Sequence, residues 1–148
     1  MQILFEKMGY GMKYFTIHEL TRSDEATKRG IDNTPPPDIK IKLVQLVDKC
    51  LDPIREAWGK PINVNSGFRC PALNSAVGGV SSSQHKTGEA ADITAGSVAE
   101  NKKLFALITE LVKKGELSVD QCIDESGYRW IHISYRNVKE NRNQFLHL

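Results

Sequence analysis

"SSSQHKTGEAADIT", residues 81–94, changes character halfway along. The serine-rich half that carries His85 is loop by composition. The half from Glu89 onward reads as a strand that carries Asp92. A loop histidine and a strand carboxylate seven residues apart can serve one ion only if the chain turns back between them. Gly88 supplies the backbone freedom for such a turn, and Ala90 and Ala91 are small enough to pack closely beneath the ion. Loops are rich in polar residues for other reasons, so this pair is a question about the fold rather than a site by itself.

Upstream of this stretch, "TIHE" offers a capping box of Thr16 with Glu19, and "SDEATKRG" a short helix from a Ser23 cap to a Gly30 stop. "DNTPPPD" is a stiff turn into a helix. Ile39, Leu43, Val44, Leu46, Val47, Cys50, Leu51 and Ile54 then recur at helical spacing up to Trp58 and Gly59. They define the main core helix, with a kink expected at Pro53. "PINVNSGFR" reads as a short strand through Ile62 and Val64 that breaks at Ser66 and Gly67, with a helical turn after Pro71.

Downstream, Ser97 and Glu100 form a second capping box, opening a helix with Leu104, Phe105, Leu107, Ile108, Leu111 and Val112 on its apolar positions. "QCID" and "RWIHISY" are two strands with "ESGY" as the turn between them. Helices mixed with short hairpin-linked strands predict an α+β fold, a small antiparallel sheet packed against helices.

The 148-residue chain is long enough for one core without disulfide staples. Residues 1–12 show no clear period and are expected to be a flexible leader, with residues 13–148 as a single domain. Hydrophobic content of 40% and charged content of 26% are ordinary for a globular protein, and no apolar run approaches membrane-span length. The N-terminal stretch lacks the basic and apolar regions of a signal peptide, so the expected location is cytoplasmic until release. Three scattered cysteines, Cys50, Cys70 and Cys122, form no CxxC pair and are expected to be reduced. A net charge of +2 is far from the dense basic face of a nucleic-acid binder, and a monomer is the expected state.

Strand alternation in "RWIHISY" puts Trp130, His132 and Ser134 on one face, and Ile131, Ile133 and Tyr135 on the other. His132 thus faces away from the aliphatic side. His85, Asp92 and His132 together make a set of two imidazoles and one carboxylate suited to Zn²⁺, with a fourth position open, as in catalytic sites. Spacing alone says nothing about whether residues 92 and 132 meet. His18 and His147 are read as solvated or hydrogen-bonded histidines.

"SGFRCPALNSAVGGVSSSQHKTGEAADI" closely resembles the signature of the zinc D-alanyl-D-alanine carboxypeptidase and L-alanyl-D-glutamate endopeptidase family, whose fold is shared with the hedgehog signalling domain. Ser83, His85, Gly88, Ala90 and Asp92 fill its Ser-x-His-x-x-Gly-x-Ala-x-Asp block, and Trp130 with His132 fill its Trp-x-His strand. "YFTIHELTRSDEATKRGIDNTPPPDI" is similar to the N-terminal part of phage-associated members, so the resemblance covers nearly all of residues 13–135. It implies zinc on His85, Asp92 and His132, a hedgehog/DD-peptidase-like fold, and cleavage of peptidoglycan stem peptides next to a D-amino acid. Arg69 stands where the family has an arginine near the substrate, and its planar fork suits a carboxylate or a developing oxyanion. The alternative for Arg69 is a surface ion pair. Ser83 either contacts substrate or only shapes the loop.

The resemblance is less direct for the general base. Many relatives carry an acid three residues before the last zinc histidine, where this chain has Arg129, which cannot accept a proton. A subgroup carries a glutamate at the end of the preceding strand, which points to Glu125 over its neighbour Asp124. Asp120 is read as a strand-initiating or supporting residue. The leading expectation is therefore a D-Ala-D-Ala carboxypeptidase or an endolysin-type endopeptidase of phage or prophage origin. The competing one is a non-catalytic, zinc-stabilised cell-wall-binding or virion-associated module.

Overall fold

The computed structural model describes residues 11–148. Of the leader expected over residues 1–12, residues 1–10 lie outside the described part. Gly11 N donates to Asp48 Oδ1 at 3.1 Å, and Met12 packs against the core.

The N-cap half of each expected capping box forms. Glu19 N donates to Thr16 Oγ1 at the start of α1 (Ile17–Thr21), and Glu100 N donates to Ser97 Oγ at the start of α6 (Val98–Lys113). Ser23 caps α2 (Asp24–Arg29), which stops at Gly30 in the left-handed conformation. The main core helix is divided as α3 (Pro37–Leu46) and α4 (Asp52–Trp58), joined by one π-helical turn over Val47–Leu51. The cause lies in Pro53, whose nitrogen has no hydrogen to donate and whose ring crowds the preceding turn. The helix widens instead of breaking, and Asp52 N donates to Val47 O.

β1 (Asn63–Ser66), β2 (Ala90–Thr94), β3 (Gln121–Glu125), β4 (Trp130–Ser134) and β5 (Gln144–His147) form one sheet in the order β1-β2-β4-β3-β5. The antiparallel expectation holds for four strands and is corrected at the edge, where β5 runs parallel to β3. Segment 136–148 carries too weak an alternation to announce a strand. Its pairing is imposed by backbone anchoring, with Gln144 N donating to Asp120 O and Asn143 N to Val119 O.

One face of the sheet builds the core. Ala91, Ile93, Ile131, Ile133 and Cys122 meet Leu43, Leu46, Val47, Cys50, Leu51 and Ile54 of the long helix and Leu104 and Ile108 of α6. Burying each of the larger aliphatic side chains is worth about 1.5–3 kcal/mol. Cys50 and Cys122 are fully buried small core residues, and burial pushes the Cys50 thiol up to about 12. The other face carries Asp92, His132, Ser134 and Glu125 with Ala90, Ile123 and Trp130 among them, and α5 (Pro71–Ala76) follows β1 in the chain. Among the described residues no helix is long and apolar enough to cross a membrane.

Candidate metal centre

The pairing of β2 with β4 sets Asp92 opposite His132, and directly opposed residues point to the same face of a sheet. That face is the one turned away from the helices. His85 comes from a 3-10 turn, Gln84–Thr87, within the stretch expected as loop. The turn ends at Gly88 with φ of +74°, a conformation that costs a side-chain-bearing residue about 1–2 kcal/mol. A Cβ there would also stand 3.0 Å from Ile39 O and Cγ2. Gly88 thus turns the chain where it is wedged against α3, and so brings His85 over Asp92.

His85 Nε2 lies 3.3 Å and His132 Nδ1 3.1 Å from Asp92 Oδ1. The two rings stand edge to face at 5.2 Å. Tetrahedral zinc bonds of about 2.0–2.1 Å place ligand atoms roughly 3.3 Å apart, so the donor spacing fits that ion. His85 is buried while Asp92 and His132 are partly open to the cleft. The donor chemistry fits as well. His85 Nδ1 donates to Gly67 O at 2.7 Å, which fixes the tautomer and leaves Nε2 with its lone pair free for a ligand bond. For Asp92, burial favours the neutral acid, but hydrogen bonds and charge from His132 and His85, supplied when those rings are protonated, outweigh it and hold the carboxyl well below the usual range. No other cluster of three such donors occurs among the described residues.

An open cleft of about 340 Å³ adjoins Asp92, with Arg69, Phe68, Ser66 and Arg22 on its walls. Arg69 sits half-buried there. Its backbone N donates to His85 O at 3.0 Å, and Nη2 reaches Ser83 Oγ at 3.4 Å. Its Nε is buried and has no hydrogen-bond partner. Burial works against its charge, while Asp92 and Glu125 support it. An arginine placed in a cleft with a donor unused is chemically suited to an incoming anion. Ser83 Oγ accepts from His85 N at 3.2 Å as well as from Arg69, so it shapes the turn and steadies Arg69 together.

The register of β3 on β4 separates the two acids at the end of β3. Glu125 is paired with Trp130 and Ile123 with His132, which puts Glu125 on the metal face. Trp130 Nε1 donates to Glu125 Oε2 at 2.5 Å. Asp124 is paired with Ile131 on the opposite face, is buried, and bonds His147. Three supporting groups escaped the sequence reading: the Gly67 carbonyl, the Trp130 N–H, and Asn33. The Asn33 amide donates to Thr21 O and Phe68 O and accepts from Cys70 N, clamping the strand end that carries Arg69. The glycine in "SGFR" and the tryptophan of the Trp-x-His strand carried a signal, and Asn33 carried none.

The family model described as Peptidase M15 matches residues 13–134. The chain belongs to the Peptidase M15 family. Within that family it is similar to the zinc D-Ala-D-Ala carboxypeptidase of Streptomyces albus G, 56% identical over 48 residues, which is 32% of this chain and 19% of the relative. This M15 chain therefore aligns with about a fifth of that curated relative's length.

Proposed function

We propose that the protein is a zinc metallopeptidase that cleaves peptidoglycan stem peptides next to a D-amino acid, on a hedgehog/DD-peptidase-like fold. The observation that carries this reading is the set of His85, Asp92 and His132 donors at zinc-ligand spacing, with Arg69 in the cleft that Asp92 lines and Glu125 on the same sheet face as His132, in a chain of the Peptidase M15 family. The name of the Streptomyces relative supports the substrate class. His85 Nε2, Asp92 Oδ1 and His132 Nδ1 would hold the metal. Zinc bound there supplies a Lewis acid that polarises the scissile carbonyl and makes water more acidic.

The chain's own residues do the rest. Arg69 presents its guanidinium to the oxygen that gains charge as the carbonyl becomes tetrahedral, or to a substrate carboxylate. Glu125 has one oxygen occupied by the Trp130 N–H, so its other oxygen, Oε1, takes a proton from water and returns it to the leaving amine. Arg129, three residues before His132, has no such role. Ser83 holds Arg69 in place and can lend its hydroxyl to substrate. The similarity of residues 14–39 to phage-associated members favours an endolysin-type monomer acting on the cell wall.

Mass spectrometry of muropeptides after incubation with zinc-loaded protein tests the proposal. Loss of a terminal D-alanine identifies a carboxypeptidase, and cleavage within the stem identifies an endopeptidase. Unchanged muropeptides, with zinc demonstrably bound, would favour the non-catalytic wall-binding module instead.

A further inference from the structure

Asp120 is wholly buried, yet it is an acid outside the metal site. Its carboxylate collects four donors. Gln84 Nε2 donates to Oδ2 at 2.8 Å. Arg142 gives a fork, Nε to Oδ1 and Nη2 to Oδ2, each at 2.9 Å, and adds its backbone N to Oδ1 at 3.1 Å. The backbone of Asp120 is equally fixed, with its N donating to Ser134 O and its O accepting from Gln144 N. Three parts of the chain that are remote in sequence therefore meet at one carboxylate: the turn that carries His85, the start of β3, and the segment that leads into β5.

Gln84 immediately precedes His85. Its carbonyl accepts from Gly88 N, from Glu89 N and from Thr87 Oγ1, so it also closes the 3-10 turn. The turn is also tied at His85 itself, through Gly67 O and Arg69 N, at its cap by Ser83 Oγ to Arg69, and at its end by Gly88 against α3. Those ties fix the ring and its carbonyl. Gln84 adds the side-chain link from the turn to the start of β3.

We propose that Asp120 is a positioning residue for the metal centre: backed by Arg142 of the C-terminal segment, it holds the His85 turn against the sheet through the Gln84 amide. The C-terminal segment is then part of the metal site's support as well as an edge strand. Groups that orient ligands in this way typically change metal affinity by about 10–100-fold when removed. This inference rests on the zinc reading of the site.

The test uses full-length protein and zinc itself, with affinity measured by competition against a chromophoric chelator and melting measured on the metal-free form. Gln84→Met keeps length and apolar stem and removes the donor. It should raise the zinc dissociation constant about 10–100-fold at temperatures where the metal-free protein, melting within about 5 °C of wild type, is fully folded. Arg142→Met should also raise it, and the double variant should lose less than the product of the two single losses, because both act through one carboxylate. Unchanged zinc affinity in folded Gln84→Met overturns the proposal. So does a loss of affinity that merely tracks a lowered melting temperature. His85→Ala separates the two levels of the argument: if it keeps full affinity, the ligand assignment falls and takes this inference with it, whereas if it loses zinc and Gln84→Met does not, only the positioning role falls.

Discussion

Gly67→Ala probes how the backbone holds His85, the first of the proposed metal ligands. Gly67 follows β1 at the point where the chain passes the end of α1, and a Cβ built on it would lie 2.2 Å from Leu20 O and 2.8 Å from Leu20 C. Both obstacles are backbone atoms, so no side chain can rotate away. Relief to an ordinary contact needs a shift of about 1 Å. Two hydrogen bonds stand in its path: Phe68 N to Leu20 O at 2.7 Å, and His85 Nδ1 to Gly67 O at 2.7 Å. Lengthening the second by about 1 Å takes it beyond hydrogen-bond range and frees the His85 ring to rotate. Overpacking typically costs about 1–3 kcal/mol, and the two lost bonds add about 1 kcal/mol each, for a total of about 3–5 kcal/mol. For a chain of this size that is a fall in melting temperature of roughly 6–20 °C. Zinc affinity should fall by about 10–100-fold at temperatures where the variant is fully folded. Differential scanning calorimetry and chelator competition measure the two effects separately. A Gly67→Ala protein that melts within about 2 °C of wild type and binds zinc normally would refute the close approach and the role of the Gly67 carbonyl together.

Glu125→Gln should keep fold and zinc and lose about a hundredfold or more of the hydrolysis rate, whereas Asp124→Asn, on the far face of the sheet, should leave the rate within a few fold; the reverse order in steady-state kinetics would transfer the base to Asp124. Arg69→Lys retains the charge without the planar fork and should lower turnover roughly tenfold to a thousandfold with zinc content unchanged, so wild-type kinetics would remove Arg69 from the site. The Arg142 fork, opposed by burial and aided by Gln84, holds the Asp120 carboxyl down at about 2. The folded value lies below the unfolded one, so its contribution is fully present above about pH 4 and is lost as pH falls through about 2, on the order of 1–2 kcal/mol after allowance for screening at half-exposed Arg142. Denaturant unfolding of metal-free protein at pH 5 and pH 2 should show a smaller acid loss in Asp120→Asn than in wild type, and equal losses would contradict the pairing.

What the sequence alone determined is local. Both N-caps, the helix stop at Gly30, and the apolar spacing from Ile39 to Ile54 follow from short-range preferences, because a helix is decided within a few turns of itself. The inward and outward residues of "RWIHISY" were legible for the same reason, since alternation is a property of the strand and not of its partner. The turn at Gly88 was legible too, as a position where backbone freedom was needed. Whether Asp92 meets His132 was not, because only the β2–β4 register brings residues 40 apart in the chain to 3.1 Å. The same holds for Glu125 against Asp124, where a slip of one residue would exchange the faces. β5 and Asp120 lay furthest from local rules. A parallel edge strand with little alternation, and a buried acid bound to Gln84 and to Arg142, are fixed by partners that approach only once the chain has folded. The local pattern selects which side chains can take part in the chemistry, and non-local strand pairing decides which of them reach one another.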